Sequence, residues 1–404
     1  MTMSFDILVV GGGLTGTAAA LGLVQQGWRV GLVEGAPAAK LTARLPDAHQ
    51  AADFTPRVSA LSPASERLLT ELGVWPDIRS RRHCPYQRME VWDGDGTGSI
   101  EFEAAELHTP SLGAIVENQS VVSALVAGFR DSDGVLIDGR TVVRWEDQDG
   151  RQALTLDDDR SLTADLIIAA DGPQSRLRQW GGLPTREWDY GQEAIVCTVE
   201  TTQPHGFTAW QRFSPTGPLA FLPLQTDEGD SHCCSIVWSQ DTDEARRLMA
   251  LDDNAFTAEL EAAIEQRLGP IRSLSRRYSF PLRQRHAKDY VRPGMALIGD
   301  AAHTIHPLAG QGVNLGYSDV RVLLEELQRA RRTGLPPADR LLLGRYQRRR
   351  KGENLAMMAA MEGFKRLFAR DELPLRWVRN AGMRWLDGQS PLKNRIAAEA
   401  MGFH

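Results

Sequence analysis

The feature of this sequence that most constrains its fold is a glycine-rich turn close to the amino terminus. An apolar run at 5–10 leads into GGGLTG at 11–16, helix-forming residues follow at 18–24, and a second apolar run at 30–33 ends at Glu34. This order predicts a strand, a helix and a second strand parallel to the first, with the GxGxxG pattern at the first turn. We therefore expect a β-α-β unit of the kind that binds dinucleotides.

Each glycine of this turn has its own physical reason. Gly11 permits a tight turn, Gly13 lets the backbone approach a pyrophosphate, and Gly16 lets the helix pack closely on the strand. The free N–H groups and the positive dipole end of the helix then favour phosphate groups. Glu34 lies 18 positions after the last glycine, where a carboxylate accepts hydrogen bonds from a ribose hydroxyl.

Composition excludes several classes of protein. The chain of 404 residues is 42% apolar and 24% charged, which is typical of globular proteins and not of disordered, collagen-like or coiled-coil chains. Its length predicts two or three structural units. The four cysteines form neither a CxxC pair nor a disulfide framework, so we expect a reducing, cytoplasmic compartment. We expect neither a signal peptide nor a membrane-spanning helix.

The formal charge of −6 is unevenly distributed along the chain. Residues 329–404 hold 17 Lys and Arg against 7 Asp and Glu, whereas the first 328 residues hold 29 basic and 45 acidic side chains. A basic segment suits an anionic membrane surface or an acidic partner protein. It suits packing against the acidic body of the same chain equally well. No nucleic-acid motif accompanies the charge, so we expect no nucleic-acid partner.

The remaining sequence predicts a mixed α/β (α+β) protein. A Rossmann-like domain is expected to comprise residues 1–184, with insertions, and to resume at 286–335. Between these parts, the β-rich stretch at 185–285 predicts an antiparallel sheet that forms a substrate domain. The last part, 336–404, is helical in composition.

Three separated segments carry a resemblance to a known family. GxGxxG at 11–16, DGxxSxxR at 171–178 and GDAAH at 299–303 resemble, in this order and spacing, the three signatures of class A FAD-dependent aromatic hydroxylases. More narrowly, the chain resembles the ubiquinone-biosynthesis hydroxylases, nearest to their 2-octaprenylphenol hydroxylase branch. The stretches that carry this narrower resemblance are RVSAL at 57–61, GVW at 73–75, MEVWD at 89–93, VEN at 116–118, FLPL at 221–224, SIVW at 235–238 and HTIHPLAGQGVNLG at 303–316.

The resemblance implies FAD as the cofactor and assigns residues to it. Those residues are Gly11, Gly13, Gly16, Glu34, Arg57, Gln119, Asp171, Asp300, Gly310, Gln311, Gly312 and Asn314. In this assignment Asp300 accepts hydrogen bonds from the ribityl chain, and Pro307 lies beside the reactive carbon of the flavin. The helix after Gly312 directs its positive end at the ring and stabilises the reduced form. The residues alone leave alternatives open, with Asp300 as a helix cap, Arg57 in a surface ion pair and Arg178 paired with Asp171.

The implied activity is a monooxygenase that hydroxylates the aromatic ring of a polyprenylated phenol in ubiquinone biosynthesis. It would use NAD(P)H as a transient co-substrate and O2, through a flavin hydroperoxide, in the cytoplasm or at the inner membrane as a peripheral protein. No side chain can be named as a catalytic acid or base. Two alternatives remain, the same chemistry on a small soluble phenol and a non-catalytic lipid carrier on the same fold.

Two further groups of residues have side chains of types found in functional sites. Trp210, Phe221 and Trp238 in the predicted substrate domain are candidate substrate contacts, although rings at such positions more often belong to a core. His303 and His306 are three residues apart, but no third ligand has a suitable spacing. We therefore predict no metal site.

Overall fold

The computed structural model describes residues 2–94, 96–305, 312–369 and 373–400. Its strands, in chain order, are β1 (Thr2–Ser4), β2 (Ile7–Val10), β3 (Val30–Glu34), β4 (Val58–Leu61), β5 (His83–Tyr86), β6 (Arg88–Asp93), β7 (Ser99–Glu103), β8 (Gly113–Glu117), β9 (Val135–Asp138), β10 (Val142–Gln148), β11 (Arg151–Leu156), β12 (Ser161–Ala164), β13 (Leu166–Ala169), β14 (Thr185–Thr201), β15 (Thr208–Phe213), β16 (Leu219–Pro223), β17 (Cys233–Asp241), β18 (Ile271–Leu274), β19 (Tyr278–Ala287), β20 (Val291–Arg292), β21 (Met295–Leu297) and β22 (His303–Thr304). The helices are α1 (Leu14–Gln25), α2 (Ala38–Leu41), α3 (Pro63–Glu71), α4 (Trp75–Ser80), α5 (Asn118–Arg130), α6 (Arg176–Trp180), α7 (Thr242–Ala250), α8 (Asp253–Ala263), α9 (Gly312–Thr333), α10 (Arg340–Ala369), α11 (Leu373–Asp387) and α12 (Ser390–Ala400).

The Rossmann-like part is built on a six-stranded sheet in the order β20-β21-β13-β2-β3-β9. The strands from β21 to β9 run parallel, and β20 is antiparallel at the edge. β2 and β13 are fully buried runs of branched apolar residues, as expected for strands covered on both faces. Helices α1, α5 and α9 and the four-stranded sheet β1-β12-β11-β10 enclose this sheet in one hydrophobic core.

The antiparallel sheet predicted for 185–285 is present and extends beyond those bounds. Its order is β22-β19-β14-β17-β16-β15-β6-β7, with β18 paired to β14, and every pair is antiparallel except β15 and β6, which run parallel. β6 and β7 come from the insertion in the first part of the chain, and β22 follows the return to the Rossmann-like part. The mixed α/β fold with an antiparallel sheet and helical carboxyl-terminal region is therefore confirmed, and this sheet crosses both domain boundaries drawn from the sequence.

Several basic residues of the carboxyl-terminal region form ion pairs with acidic residues of the first 328 positions. Arg379 of α11 is buried and pairs with Asp93 at the end of β6, at 2.5 Å. Further ion pairs between the carboxyl-terminal region and the first 328 residues, some of them exposed, are Arg349–Glu325, Arg350–Asp319, Lys351–Asp289 and Lys393–Glu106. These contacts favour the second interpretation of the charge asymmetry, in which basic residues pack against the acidic body.

Candidate cofactor site

The three sequence motifs meet along one edge of the parallel sheet. β21, β13, β2 and β3 are consecutive neighbours, so the residues that follow them lie side by side at their carboxyl ends. Along this edge come Asp300, then Asp171, then the glycine turn at 11–16, and finally Glu34. Since neighbouring strands are about 4.8 Å apart, the edge presents an extended row of polar groups suited to a long ligand such as a dinucleotide.

The glycines of the turn differ in what requires them. Gly11 has φ +108°, and a Cβ there would lie 2.3 Å from the Ala170 carbonyl oxygen. A Cβ on Gly16 would lie 1.9 Å from the carbonyl oxygen of Gly11, so helix α1 reaches the strand only with glycine here. At Gly13, in contrast, no protein atom lies within 4 Å of an added Cβ. Protein packing therefore demands the first and last glycines, whereas the middle one faces open space.

That open space is a cavity of about 350 Å³ between the glycine turn and Glu34. Glu34 accepts hydrogen bonds from the backbone N–H groups of Gly12 (2.5 Å) and Ala36 (2.7 Å), which orient its carboxylate at the cavity wall. The remaining wall combines apolar and cationic side chains. The lining residues are Val10, Gly11, Gly13, Val33, Glu34, Gly35, Arg140, Thr141, Val142, Ala170, Asp171, Gln174, Arg176, Leu177 and Trp180.

Asp171 uses one carboxylate oxygen structurally and leaves the other without a protein partner. Oδ2 accepts from the backbone N–H groups of Arg176 (2.9 Å) and Leu177 (3.3 Å) at the start of α6, while Oδ1 is buried and unpaired. Arg178 does not pair with Asp171, because its guanidinium donates to the carbonyls of Ala301 and Pro173, each at 2.8 Å. Arg178 therefore joins the second motif to the third.

Asp300 lies in a recess next to Arg57. Its side chain reaches the surface, yet the surrounding protein raises the pKa of its carboxyl by desolvation, while His303 and Arg57 act to lower it. The guanidinium of Arg57 lies over the ring of Phe280, 5.4 Å from the ring centroid. An exposed carboxylate that is nevertheless desolvated is the arrangement expected where a ligand supplies the missing hydrogen-bond donors.

Two predicted cofactor residues, Asn314 and Gln119, form hydrogen bonds that join separate elements of the protein. The Asn314 carboxamide accepts from Ser62 N (3.0 Å) and Ser65 Oγ (2.7 Å) and donates to the Ala60 carbonyl (2.8 Å), which ties the start of α9 to β4 and α3. The Gln119 amide donates to the carbonyls of Lys40 and Leu41. A cofactor contact of either residue stays a prediction.

The flavin-ring end of the predicted site is only partly covered by the structure. Gly312 begins α9, and no protein atom lies within 4 Å of a Cβ added there. Pro307, Gly310 and Gln311 lie outside the described residues, as does His306.

The three predicted substrate rings lie on the far side of the large sheet. Phe221 and Trp238 are buried in a cluster that α7 and α8 close, and Trp210 packs against the same cluster. Because side chains alternate along a strand, Ala220 and Leu222 point the other way, into a cluster that includes β4 and β8 of the Rossmann-like part. The structure therefore buries Phe221 and Trp238 in this cluster and packs Trp210 against it, and a substrate contact of any of the three stays a prediction.

Sequence reasoning missed the residue at the centre of the motifs. A Cβ on Gly299 would lie 2.7 Å from Thr15 Oγ1, and one on Gly316 would lie 2.4 Å from Thr15 Cγ2. The glycine turn, the GDAAH segment and helix α9 therefore all meet at Thr15. The spacing of Gly299 and Gly316 carries no local signal for this contact, because Thr15 lies almost 300 residues away in the chain.

Taken together, the site fits FAD. The cavity at Glu34 suits a nucleoside, the open approach at Gly13 suits a pyrophosphate, and the unpaired Asp171 Oδ1 and desolvated Asp300 carboxylate provide acceptors for hydroxyl donors. A parallel sheet with this edge is that of a dinucleotide-binding protein.

Comparison with known proteins identifies the family. A family model described as "FAD binding domain" matches residues 4–360. The 3-demethoxyubiquinol 3-hydroxylase of Escherichia coli (strain K12) is 39% identical over 399 residues, covering 98% of both chains. The ubiquinone hydroxylase UbiL of Rhodospirillum rubrum is 36% identical, covering 98% of this chain and 89% of the relative. The crystal structure of p-nitrophenol 4-monooxygenase PnpA from Pseudomonas putida DLL-E4 shares the fold, with TM-score 0.78, 20% identity and coverage of 99% and 98%.

The chain belongs to the FAD binding domain family, and it is an FAD-dependent monooxygenase. The resemblance to the ubiquinone-biosynthesis hydroxylases is thereby confirmed, while the 2-octaprenylphenol branch stays a prediction. No helix in the described ranges is long and apolar enough to cross a membrane. Within those same ranges, no three His, Cys, Asp or Glu side chains are grouped to hold a metal ion. The cysteines Cys84, Cys197, Cys233 and Cys234 are buried and unpaired.

Proposed function

We propose that this protein hydroxylates the aromatic ring of a polyprenylated phenol in ubiquinone biosynthesis, with NAD(P)H and O2 as co-substrates. The observation that carries the proposal is the 39% identity, over almost the full length of both chains, to a 3-demethoxyubiquinol 3-hydroxylase. The alignment covers both sheets, so it includes the predicted substrate domain as well as the cofactor edge.

The chain's own residues hold the cofactor and shape the space beside it. FAD, when bound, supplies the redox chemistry that activates O2 and transfers one oxygen atom. The large sheet turns Ala220, Leu222 and the half-buried Phe280 toward the Rossmann-like part, and Arg57 covers Phe280. We propose that this apolar face holds the phenol ring and excludes water, while Arg57 bounds it on the Asp300 side.

The proposal is tested with the purified flavoprotein, NADPH or NADH, 18O2 and a short-tailed prenylphenol. We expect NAD(P)H oxidation to depend on the prenylphenol, and mass spectrometry to show one 18O atom in the product ring. The matched substrate is a hydroxybenzoate without a tail, for which we expect little product. Efficient hydroxylation of the hydroxybenzoate, with none of the prenylphenol, would instead assign the enzyme to small soluble phenols.

We further propose that the outer face of the carboxyl-terminal helices meets an anionic membrane surface. Trp377 and Trp385 of α11 are 71% and 60% exposed, and they lie eight residues apart, on one side of the helix. Arg384 is exposed beside them, and Leu392 and Arg395 are exposed on α12. Tryptophan and arginine together suit the headgroup region of a bilayer, where a water-insoluble polyprenyl substrate is found. Arg379, which the sequence alone would include in such a surface, is excluded because it is buried against Asp93.

Replacing Trp377 and Trp385 together by Ser should weaken binding to vesicles of phosphatidylcholine and phosphatidylglycerol by about a hundredfold or more, because burying each large apolar side chain stabilises by about 1.5–3 kcal/mol. Flotation of the holoenzyme with vesicles measures the effect, and activity on a short-tailed phenol should be unchanged. The matched control is Trp188→Ser, since Trp188 is 48% exposed but lies on β14. Equal vesicle binding by all three proteins would contradict the proposal, and loss of a co-purifying partner protein would assign the face to an assembly.

A further inference from the structure

A buried carboxylate lies directly behind the third motif, in helix α9. Asp319 has no exposed surface, and its two oxygens accept from four donors. Oδ2 accepts from the backbone N–H of Gly299 (3.0 Å) and contacts His303 Nε2 (2.6 Å). These two donors are the first and last residues of the GDAAH segment. One carboxylate oxygen therefore holds both ends of the five residues that carry Asp300.

The second oxygen of Asp319 is anchored by helix α10. Oδ1 accepts from Arg350 Nε (2.8 Å) and Asn354 Nδ2 (3.3 Å), and Arg350 and Asn354 are also fully buried. The anchor continues, since Asn354 Nδ2 donates to the hydroxyl of Tyr290 (3.1 Å), which lies 2.9 Å from His286 Nε2 of β19. His303 and Arg350 together hold the pKa of Asp319 at about 2, against the desolvation that acts to raise it, so the carboxylate is ionised.

Stability alone does not explain this cluster. Taking an arginine and an aspartate out of water costs much of what their attraction returns, and an apolar pair of similar size would join α9 to α10 as well. An apolar side chain would not, however, bind an N–H at Gly299 and a ring nitrogen at His303 at the same time. The distinctive effect of the carboxylate is thus the placement of the segment between them.

The placement of that segment matters because its surroundings leave little freedom. Gly299 has φ +57° and closely approaches Thr15 of the glycine turn, and Asp300 is the next residue. In the middle of the segment, the Ala301 carbonyl accepts from Arg178. A shift of Gly299 would therefore move the Asp300 carboxylate relative to the glycine turn, and FAD could then no longer contact both at the same time.

We propose that Asp319, held by Arg350, is a positioning residue of the FAD site, which sets the Asp300 carboxylate at the distance from the glycine turn that FAD requires. It acts through the GDAAH segment and does not itself touch the cofactor. The inference rests on the FAD site and not on the identity of the phenol, so its test needs no substrate.

The test compares Asp319→Asn with Asp93→Asn, which removes the charge of another buried arginine partner far from the cofactor edge. The FAD dissociation constant is measured from flavin fluorescence released on dilution of the holoenzyme, beside the thermal midpoint and the visible circular dichroism of the flavin. Asp319→Asn should raise the FAD Kd about tenfold, the size expected when a residue that orients a ligand-binding group is replaced. Its flavin dichroism should change as well. Asp93→Asn should lower the thermal midpoint while it keeps the wild-type FAD Kd.

A merely structural role would give a different pattern, in which both variants lose thermal stability and both keep the wild-type FAD Kd and dichroism. That result would overturn the proposal. If Asp319→Asn does not fold, Arg350→Lys decides, because it keeps the positive charge but loses the planar fork that reaches Asp319 and Asn354. A raised FAD Kd in Arg350→Lys supports the proposal, and a wild-type Kd overturns it.

Discussion

Replacing Gly13 by Val is expected to weaken FAD binding strongly while the apoprotein stays about as stable as the wild type. A Cβ at Gly13 meets no protein atom within 4 Å, and its φ of −75° and ψ of −170° are accessible to any residue. The valine methyl groups would instead occupy the approach to the pyrophosphate. Because each charge-assisted hydrogen bond from the helix N-terminus contributes about 1.5–3 kcal/mol, we expect the FAD Kd to rise about a hundredfold or more. Gly13 makes no side-chain hydrogen bond to the helix that valine would remove, so the cost to the helix should stay within about 1 kcal/mol.

The control for this prediction is Gly16→Val, three residues further along. A Cβ at Gly16 would overlap the carbonyl oxygen of Gly11, so this variant should lose thermal stability even without FAD. Fluorescence titration with FAD and a thermal melt of each apoprotein separate the two effects. A wild-type FAD Kd in Gly13→Val would remove the turn from the pyrophosphate site.

Asp300→Ala should weaken FAD binding and at the same time stabilise the apoprotein near neutral pH. The first effect follows from the loss of a charge-assisted hydrogen bond to a hydroxyl of FAD, which corresponds to about 10- to 100-fold in Kd. The second follows from the raised pKa of Asp300, because a desolvated carboxylate without a ligand is a cost that alanine removes. Thermal melts of the apoproteins and fluorescence titration with FAD measure both quantities.

The raised pKa also fixes the direction of the pH dependence. The folded apoprotein binds a proton at Asp300 more readily than the unfolded chain does, so the penalty is present at neutral pH and disappears as the pH falls through the folded-state pKa. The stability advantage of Asp300→Ala should therefore shrink at acidic pH. FAD affinity of the wild type should fall over the same range, because the protonated carboxyl is a weaker acceptor. An apoprotein of Asp300→Ala that is less stable than the wild type at pH 7 would contradict the assignment.

Local patterns in the sequence were sufficient for the cofactor half of the protein. GxGxxG, DGxxSxxR and GDAAH each follow a short apolar run. In parallel sheets, the turns that follow the strands commonly bind the ligand at the carboxyl edge of the sheet. The order of the motifs, together with the strand neighbours β21, β13, β2 and β3, places them along one edge. Dinucleotide binding and the mixed α/β fold could therefore be predicted from short-range order along the chain, whereas FAD in particular followed from the family resemblance of the three motifs.

The predicted substrate rings show what local patterns leave open. Trp210, Phe221 and Trp238 are aromatic residues in strands, and the residue type alone does not show which face of the sheet each side chain occupies. Only strand register, which alternates Phe221 with Ala220 and Leu222, and the position of α7 and α8 decide which cluster the rings join. The basic residues of the carboxyl-terminal region are a second example of this limit of local patterns. The partner of Arg379 is Asp93 on a strand that is distant in the chain.

What the sequence by itself determined is the set of motifs, dinucleotide binding and the order of the elements, because each depends on residues a few positions apart, and the resemblance of the motifs to a family then implied FAD. What only the tertiary structure decided is which groups those motifs meet. Thr15 touches Gly299 and Gly316, and Asp319 joins Gly299 to Arg350, through contacts between segments that are far apart in the chain. Such contacts depend on how helices and sheets pack in three dimensions, and a buried side chain acquires its role from the donors that packing brings within reach.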